Sequence, residues 1–194
     1  EHLGRRECPA ILCRAASELG LEVDLWYPQP QDMACNPYFL PCRDDYAGSP
    51  DVVGICKGSG GGRSLLLNGH VDVVPAGKND WEDSPWSGLR KTGRVYGRGS
   101  SDMKGGLIAN LMAMDAIIKS GIKLKGDVLL ASVIGEETGG AGTLSMLSRG
   151  YRADGAIVPE PSDLNICPVS LGVIWFRIRV KGLAAHAANA YLGV

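Results

Sequence analysis

The chain has 194 residues, of which 45% are hydrophobic and 21% charged, and its formal net charge is −1. This balance is typical of a globular protein with a sizeable core, and it argues against the basic surface that nucleic-acid binding requires. No apolar run is long enough to span a bilayer, so we expect neither a nucleic-acid nor a membrane partner.

The six cysteines include no C-x-x-C pair, so a structural zinc knuckle is not expected. A core of this size needs no disulfides, and no signal-type segment is present. We therefore expect reduced thiols and a cytoplasmic location. The chain starts without a methionine and stops at Val194 inside an apparently continuing element. We expect it to be a fragment of a longer protein.

The predicted elements alternate between helices and strands. They are a helix at 6–19, a strand at 22–27, an irregular segment at 28–50, strands at 51–56 and 64–68, a long surface loop at 74–97, a helix at 104–119, a strand at 127–134, a short helix at 142–148 and a strand at 155–158. The glycine-rich segment at 58–62 predicts a hairpin connection between the strands at 51–56 and 64–68. The alternation predicts an α/β layered fold.

Residues 174–180 follow a different pattern, in which apolar and polar side chains alternate. Such alternation is typical of a strand with one solvent-exposed face, whereas the earlier strands are apolar throughout. The change predicts a second domain that begins near Gly172. The expected organisation is one domain at 1–171 and the start of another domain at 172–194.

Ionisable side chains stand where the apolar strands end. They are His70 and Asp72 after the strand at 64–68, Glu136 and Glu137 after the strand at 127–134, Glu160 after the strand at 155–158, and Asp102 just before the helix at 104–119. Ligands of open α/β sheets bind at the carboxyl ends of the strands, so we expect these side chains to share one edge. Carboxylates gathered there repel one another unless a cation compensates them.

The candidate ligands combine one imidazole with several carboxylates and include no thiolate, which suits zinc, cobalt or manganese. Asp72 lies two residues beyond His70 on an extended chain, so both side chains project to one side and Asp72 can hold the imidazole from behind. Glu136 and Glu137 are adjacent and must point differently. One can bind a metal while the other acts as a general base.

Each residue also has an ordinary structural interpretation. His70 alone could be a satisfied core histidine, the Glu136–Glu137 pair a solvated helix start, and Glu160 part of a turn. Together these interpretations need several independent coincidences at strand ends, so the metal-site hypothesis is favoured. The glycine-rich segment at 97–106 lacks the Ser or Thr that must follow Lys104 in a phosphate-binding loop, so a nucleotide site is not expected.

Four ordered segments resemble the dinuclear zinc amidohydrolase and exopeptidase family, which includes acetylornithine deacetylase, succinyl-diaminopimelate desuccinylase, aminoacylase and glutamate carboxypeptidase. The segments are Gly69-His70-Val71-Asp72-Val73-Val74-Pro75, Gly97-Arg98-Gly99 with Asp102-Met103-Lys104-Gly105-Gly106, Glu136-Glu137, and Glu160-Pro161-Ser162. The resemblance covers nearly the whole chain. It implies a mixed twisted sheet flanked by helices, followed by the first strand of a lid or dimerisation domain.

The resemblance also implies two divalent metal ions, with zinc expected and cobalt or manganese as alternatives. Asp102 would bridge both ions, His70 and Glu160 would bind one, and Glu137 would bind the other. The last ligand of the family is a histidine near the carboxyl terminus, and the only histidines here are His2, His70 and His186. We therefore expect the 194-residue chain to lack one ligand and to be inactive by itself.

By the same resemblance, Asp72 would orient His70 and Glu136 would be the general base. His186 matches a lid-domain histidine that reaches a neighbouring active site in dimeric relatives, although it could also be an ordinary exposed loop residue. The implied reaction is hydrolysis of the amide bond of a small N-acyl amino acid, in a protein that dimerises through the lid. The alternatives are a dipeptidase or carboxypeptidase acting on short peptides, and a non-catalytic metal-binding fold, against which the presence of both Asp72 and Glu136 argues.

Overall fold

The computed structural model describes residues 3–78, 80–169, 171–172, 176, 178 and 186–192. The chain divides into two units, Glu1–Leu164 and Asn165–Val194. In the second unit, a helical turn covers Ala187–Leu192. The predicted strand at 174–180 lies largely outside the described residues, and the domain boundary expected at 172 stays a prediction.

The first unit contains the helices and strands that surround the candidate site. The helices are α1 (Leu3–Glu18), α2 (Pro30–Met33), α3 (Gly105–Lys119) and α4 (Ala141–Ser148), and the strands are β1 (Glu22–Trp26), β2 (Asp51–Cys56), β3 (Leu65–His70), β4 (Leu89–Lys91), β5 (Arg94–Tyr96), β6 (Val128–Val133) and β7 (Gly155–Ile157). Most predicted elements are confirmed to within three residues at each end.

Five strands form one mixed sheet in the order β1-β2-β6-β3-β7. β1 and β2 are antiparallel to their neighbours, whereas β6, β3 and β7 run parallel to one another. His70, the last residue of β3, pairs with Val133, the last residue of β6. The carboxyl ends of the three parallel strands therefore meet at one edge, as the sequence predicts.

The prediction of a hairpin between β2 and β3 is wrong, because β6 lies between these strands. All six residues of β6 are buried, so the strand occupies the centre of the sheet. The glycine-rich connection instead crosses the start of β6, where Gly60 N–H donates to Lys125 O at 2.9 Å. A Cβ atom on Gly58 would lie 2.5 Å from the same oxygen. Glycine is needed here for a close crossing of two backbones.

Two segments predicted as irregular contain short elements. The segment at 28–50 includes α2, and the loop at 74–97 ends in the antiparallel hairpin β4-β5. Its turn has positive φ angles at Thr92 and Gly93, as a two-residue hairpin turn requires. The three residues of β5 are all exposed. Three exposed residues are too few to show the alternation of apolar and polar side chains that indicates a strand.

Helices cover both faces of the sheet. On one face, Ala16 of α1 and Met114 of α3 pack against Leu67 and Leu130 of the central strands. On the other face, the buried Met146 of α4 packs with residues of β1, β2 and β6. The faces are thus closed by apolar contacts, and the polar edge at the ends of the parallel strands is left open for a site.

All six cysteines are free thiols. Among the described residues, no helix combines the length and the hydropathy that crossing a bilayer would demand.

Candidate metal centre

The candidate site is built on the ends of the parallel strands. His70 closes β3 and is only 1% exposed. After β6, Gly135 turns the chain with φ of 72°, so that Glu136 and Glu137 follow the strand end directly. Asp102 has extended backbone angles, with φ of −111° and ψ of 104°, in the segment Ser100–Lys104 that leads into α3. These side chains thus reach the edge from three different parts of the chain.

The Nε2 atom of His70 is the meeting point of these carboxylates. It lies 3.2 Å from Asp102 Oδ1, 3.7 Å from Glu136 Oε2 and 3.8 Å from Glu160 Oε1. One ligand atom from each of His70, Asp102 and Glu137 falls within 4.8 Å of the other two. The structure therefore brings together all four predicted ligands and the predicted base.

Asp72 contacts both the imidazole of His70 and the backbone of Glu136 and Glu137. His70 Nδ1 lies 3.0 Å from the backbone oxygen of Asp72 and 3.5 Å from its Oδ1 atom. The two carboxylate oxygens of Asp72 accept the backbone N–H groups of Glu136 and Glu137, each at 3.2 Å. The sequence predicts the first contact but not the second. Because Nδ1 donates to the Asp72 oxygen, a neutral imidazole leaves Nε2 free as a ligand atom.

The pKa values of the clustered side chains indicate that the cluster lacks positive charge. Burial lowers the pKa of His70, but the hydrogen bond and charge of Asp72, together with the charge of Glu136, outweigh burial and raise it to about 9. The pKa values of Glu136 and Glu160 are raised, chiefly by burial, against which His70 acts, and the neighbouring carboxylates add to the rise. A group of partly exposed acids that draws a proton onto one buried imidazole fits a site for cations.

Asp72 differs from Glu136 and Glu160 because its pKa is lowered. Burial raises this pKa, but the hydrogen bond and charge of His70 and the backbone N–H groups of Glu136 and Glu137 outweigh burial. Asp72 therefore stays charged while it holds its three neighbours. Such a carboxylate orients a metal-binding histidine and increases its basicity.

Glycine and lysine residues around Asp102 shape the floor of the site. Gly99 has φ of 81°, and a Cβ atom there would lie 2.5 Å from Val73 Cγ1 and 2.9 Å from Lys104 Nζ. The position requires glycine on both counts. Burial lowers the pKa of Lys104, although acidic groups including Asp102 act in the opposite direction. Lys104 is an ammonium beside the cluster that sequence reasoning did not single out.

His186 lies in the second unit. Its Nδ1 atom accepts the backbone N–H of Ala188 at 3.1 Å within that unit. The predicted catalytic role of His186 stays a prediction, as does the division of Glu137 and Glu160 between two metal ions.

The candidate ligands at the strand ends lie within a region that matches a known family model. Residues 66–190 match the model described as peptidase family M20/M25/M40. The chain belongs to this family. The recognition made from the four sequence segments is confirmed.

Relatives within the M20 group carry names of amide-cleaving enzymes. The chain is 42% identical over 168 residues to N-formyl-4-amino-5-aminomethyl-2-methylpyrimidine deformylase of Bacillus subtilis, covering 85% of this chain and 35% of the relative. It is 36% identical over 132 residues to a probable succinyl-diaminopimelate desuccinylase of Staphylococcus epidermidis, covering 66% of this chain and 33% of the relative. The chain thus spans about a third of the length of these relatives.

Solved structures of M20 proteins share the fold. The metallo-carboxypeptidase Sso-CP2 of Sulfolobus solfataricus superposes with a TM-score of 0.62 at 24% identity, over 80% of this chain and 32% of that one. Human carnosine dipeptidase 1 gives a TM-score of 0.58 at 22% identity, over 77% and 31% of the two chains. The expected mixed α/β sheet flanked by helices is confirmed.

Proposed function

We propose that the full-length protein is a metal-dependent hydrolase that cleaves the amide bond between an acyl group and the amine of a small molecule, an N-acyl amino acid or a related N-acyl amine. The observation that carries the proposal is the convergence of Asp102, Glu136 and Glu160 within 3.8 Å of His70 Nε2. Support comes from the names of the two curated relatives, a deformylase and a desuccinylase.

The donor set fits divalent cations, because it joins an imidazole to carboxylates and its raised pKa values indicate a demand for positive charge. His70, Asp102, Glu137 and Glu160 would hold two ions, with Asp102 between them. Zinc is the expected metal, and cobalt and manganese suit the same atoms. When bound, the ions lower the pKa of water and polarise the substrate carbonyl.

Glu136 is proposed to carry the proton. Its raised pKa brings the carboxyl closer to neutral pH, where a group can both accept and return a proton. Glu136 takes a proton from the water that attacks the amide carbon. It then gives this proton to the amine nitrogen as the carbon–nitrogen bond breaks, so the products are a carboxylic acid and a free amine.

Asp72 and His186 are proposed to assist the reaction in different ways. Asp72 fixes the backbone of Glu136 and the ring of His70, so the base and a metal ligand keep one relative position. His186 would stabilise the negative charge that develops on the carbonyl oxygen, from the lid of a homodimer. The free thiols support a reducing, cytoplasmic compartment for the assembled protein.

The test is a substrate panel with the full-length protein, stripped of metal and reloaded with zinc, cobalt or manganese. The panel contains an N-formyl aminomethylpyrimidine, an N-acetyl and an N-succinyl amino acid, and a dipeptide. We expect metal-dependent release of free amine from at least one N-acyl substrate. Hydrolysis of the dipeptide alone would replace the proposal by the peptidase alternative. Binding of metal without hydrolysis of any substrate would favour the non-catalytic alternative.

A further inference from the structure

A second, fully buried aspartate lies at the same edge of the sheet as the candidate site, beside the end of β6. Asp51 is the first residue of β2 and is 0% exposed. Because β2 is antiparallel to β6, its first residue lies beside the end of β6. Regular pairing of the two strands extends to Val52 and Ser132, and the carboxylate oxygen Oδ1 of Asp51 accepts the N–H of Ile134 at 3.0 Å. The side chain thus continues the hydrogen bonding beyond the backbone ladder.

Ile134 is the residue from which the chain turns toward the proposed base. Its N–H is held by Asp51, and its carbonyl oxygen accepts the N–H of Gly142 at 2.8 Å. A Cβ atom on Gly142 would lie 2.4 Å from that oxygen and 2.6 Å from Asp51 Oδ1. The start of the turn is therefore fixed by tight packing as well as by hydrogen bonds. Glu136 follows two residues later.

The next part of the turn is held by Asp72, which accepts the N–H groups of Glu136 and Glu137. Two aspartates thus bind consecutive parts of one turn. Asp72 has the imidazole of His70 as an ionic partner. Asp51 has no ion pair among the described residues, and within the same residues its Oδ2 atom is buried without a hydrogen-bond partner.

The surroundings of Asp51 disfavour a negative charge. Trp26 of β1, which pairs with it, and Ile134 and Gly142 on the other side offer no charge. The charged group that acts on it is Asp72, which repels a second anion, and the phenol of Tyr46 is within electrostatic range. Burial raises the pKa of Asp51 to about 8, against the effect of the Ile134 N–H and with the aid of the Asp72 charge.

We propose that Asp51 is a positioning residue that holds the turn of Glu136 and Glu137 through the amide of Ile134, and that it does so as a neutral carboxylic acid. The expected effect of Asp51 on kcat rests on the proposed function, whereas its structural role and its protonation state do not. A neutral acid accepts the N–H of Ile134 through one oxygen and avoids a second buried charge next to Asp72. Asparagine has the same shape and the same acceptor, so it should replace Asp51 in this role.

The catalytic test compares Asp51→Asn with Asp51→Leu in the full-length, metal-loaded protein. We expect Asp51→Asn to keep kcat within about threefold of the wild type, because the acceptor for Ile134 is retained. Asp51→Leu should lower kcat by about 10- to 100-fold with KM nearly unchanged, because the turn that carries the proposed base shifts. The control is Ser132→Ala, which removes the buried hydroxyl of β6 and should leave kcat unchanged.

The second test requires no activity, so failure of the proposed function does not conceal its result. Hydrogen exchange of the peptide that spans 134–137 should be faster in Asp51→Leu than in Asp51→Asn or wild type. Wild-type exchange and wild-type kcat in Asp51→Leu would overturn the positioning role. If Asp51→Leu does not fold, the comparison of Asp51→Asn with wild type across pH still decides the protonation state.

That comparison has a definite sign. The unfolded chain loses the Asp51 proton near pH 3.8, whereas the folded protein keeps it to about pH 8. The folded state therefore binds more protons than the unfolded state between these values, and the wild type loses stability there as pH rises. The melting temperature of Asp51→Asn should equal that of the wild type near pH 4, exceed it increasingly up to pH 8, and then keep a constant lead. A difference in melting temperature that does not change with pH would overturn the proposal that Asp51 is neutral in the folded protein.

Discussion

The two ends of the parallel strands carry acids in opposite situations. At the starts of β6 and β7, Asp127 accepts the N–H of Gly58 and pairs with Lys57 at 3.1 Å, while Asp154 accepts the N–H and hydroxyl of Ser64 at 2.7 and 2.9 Å. Those donors lower the pKa of both acids. Each carboxylate at this end has its own partner within the protein.

At the carboxyl ends of the same strands, several acids share one imidazole. Glu136 and Glu160 have raised pKa values, and His70 has its pKa raised to about 9. Acids at strand ends are thus not sufficient to indicate a metal site. The feature that distinguishes the two ends is whether the fold supplies donors for each carboxylate or leaves a group of them in need of a cation.

The largest effect that separates the two ends should follow from Glu136→Gln. The amide has the shape of the carboxyl but cannot accept the proton, so we expect kcat to fall by about 10²- to 10⁴-fold. Metal content, measured by elemental analysis, should be unchanged because Glu136 is not a proposed ligand. The matched control is Glu82→Gln, an exposed acid. Turnover at the wild-type rate in Glu136→Gln would remove Glu136 from its role.

Asp72→Ala should have the next largest effect. It removes the acceptor of the Glu136 and Glu137 N–H groups and the carboxylate beside His70. We expect metal affinity to fall by about 10- to 100-fold, as measured by competition with a chelator. The metal affinity of Asp72→Asn should lie between those of Asp72→Ala and the wild type, because the amide keeps one acceptor oxygen. Equal affinities in all three proteins would contradict the orienting role.

A smaller effect is expected from Asp24, which is remote from either strand end. Asp24 receives bonds from Arg149 and Tyr151 at 2.8 and 2.7 Å and ties β1 to the segment after α4. Asp24→Asn should lower the free energy of unfolding by about 1 kcal/mol, or about 2–4 °C in melting temperature. Turnover should be unaffected, and Asp83→Asn serves as the exposed control. A loss of metal affinity equal to that of Asp72→Ala would contradict the separation of the regions.

The smallest effect is expected for Asp127→Asn, and its pH dependence is the informative part. The N–H of Gly58 and the ammonium of Lys57 lower the pKa of Asp127. An acid with a lowered pKa stabilises the folded state above its unfolded value and loses that contribution as pH falls through the folded value. The melting temperature of Asp127→Asn should lie slightly below that of the wild type at pH 7, and the gap should close below about pH 4. A gap that widens in acid would contradict this account.

The sequence predicts the site better than it predicts the sheet. His70, Glu136 and Glu160 follow apolar strands, and parallel strands point their carboxyl ends to one edge, so chain order alone is enough to gather them. The position of β6 between β2 and β3 could not be predicted in this way. Apolar periodicity reports that a strand is buried but not which neighbours bury it.

Asp51 shows a second limit. In the sequence it follows Ser49 and Pro50, a setting typical of an ordinary surface turn. Its complete burial depends on the packing of Gly142 in α4, which lies 91 positions away. Asp72 is intermediate, since its contact with His70 is local and predictable. Its bonds to Glu136 and Glu137 exist only because β3 and β6 are neighbours.

The double attachment of Asp72 has an evolutionary consequence. A single replacement of Asp72 would disturb a proposed ligand and the proposed base together, while the apolar layers on both faces of the sheet stay intact. In a lineage under relaxed selection, one substitution of Asp72 would give a protein that folds but lacks the proposed activity. Restoring only one of the two contacts would bring back little of that activity. Asp72 and Glu136 should therefore be lost or kept together as copies of this protein diverge.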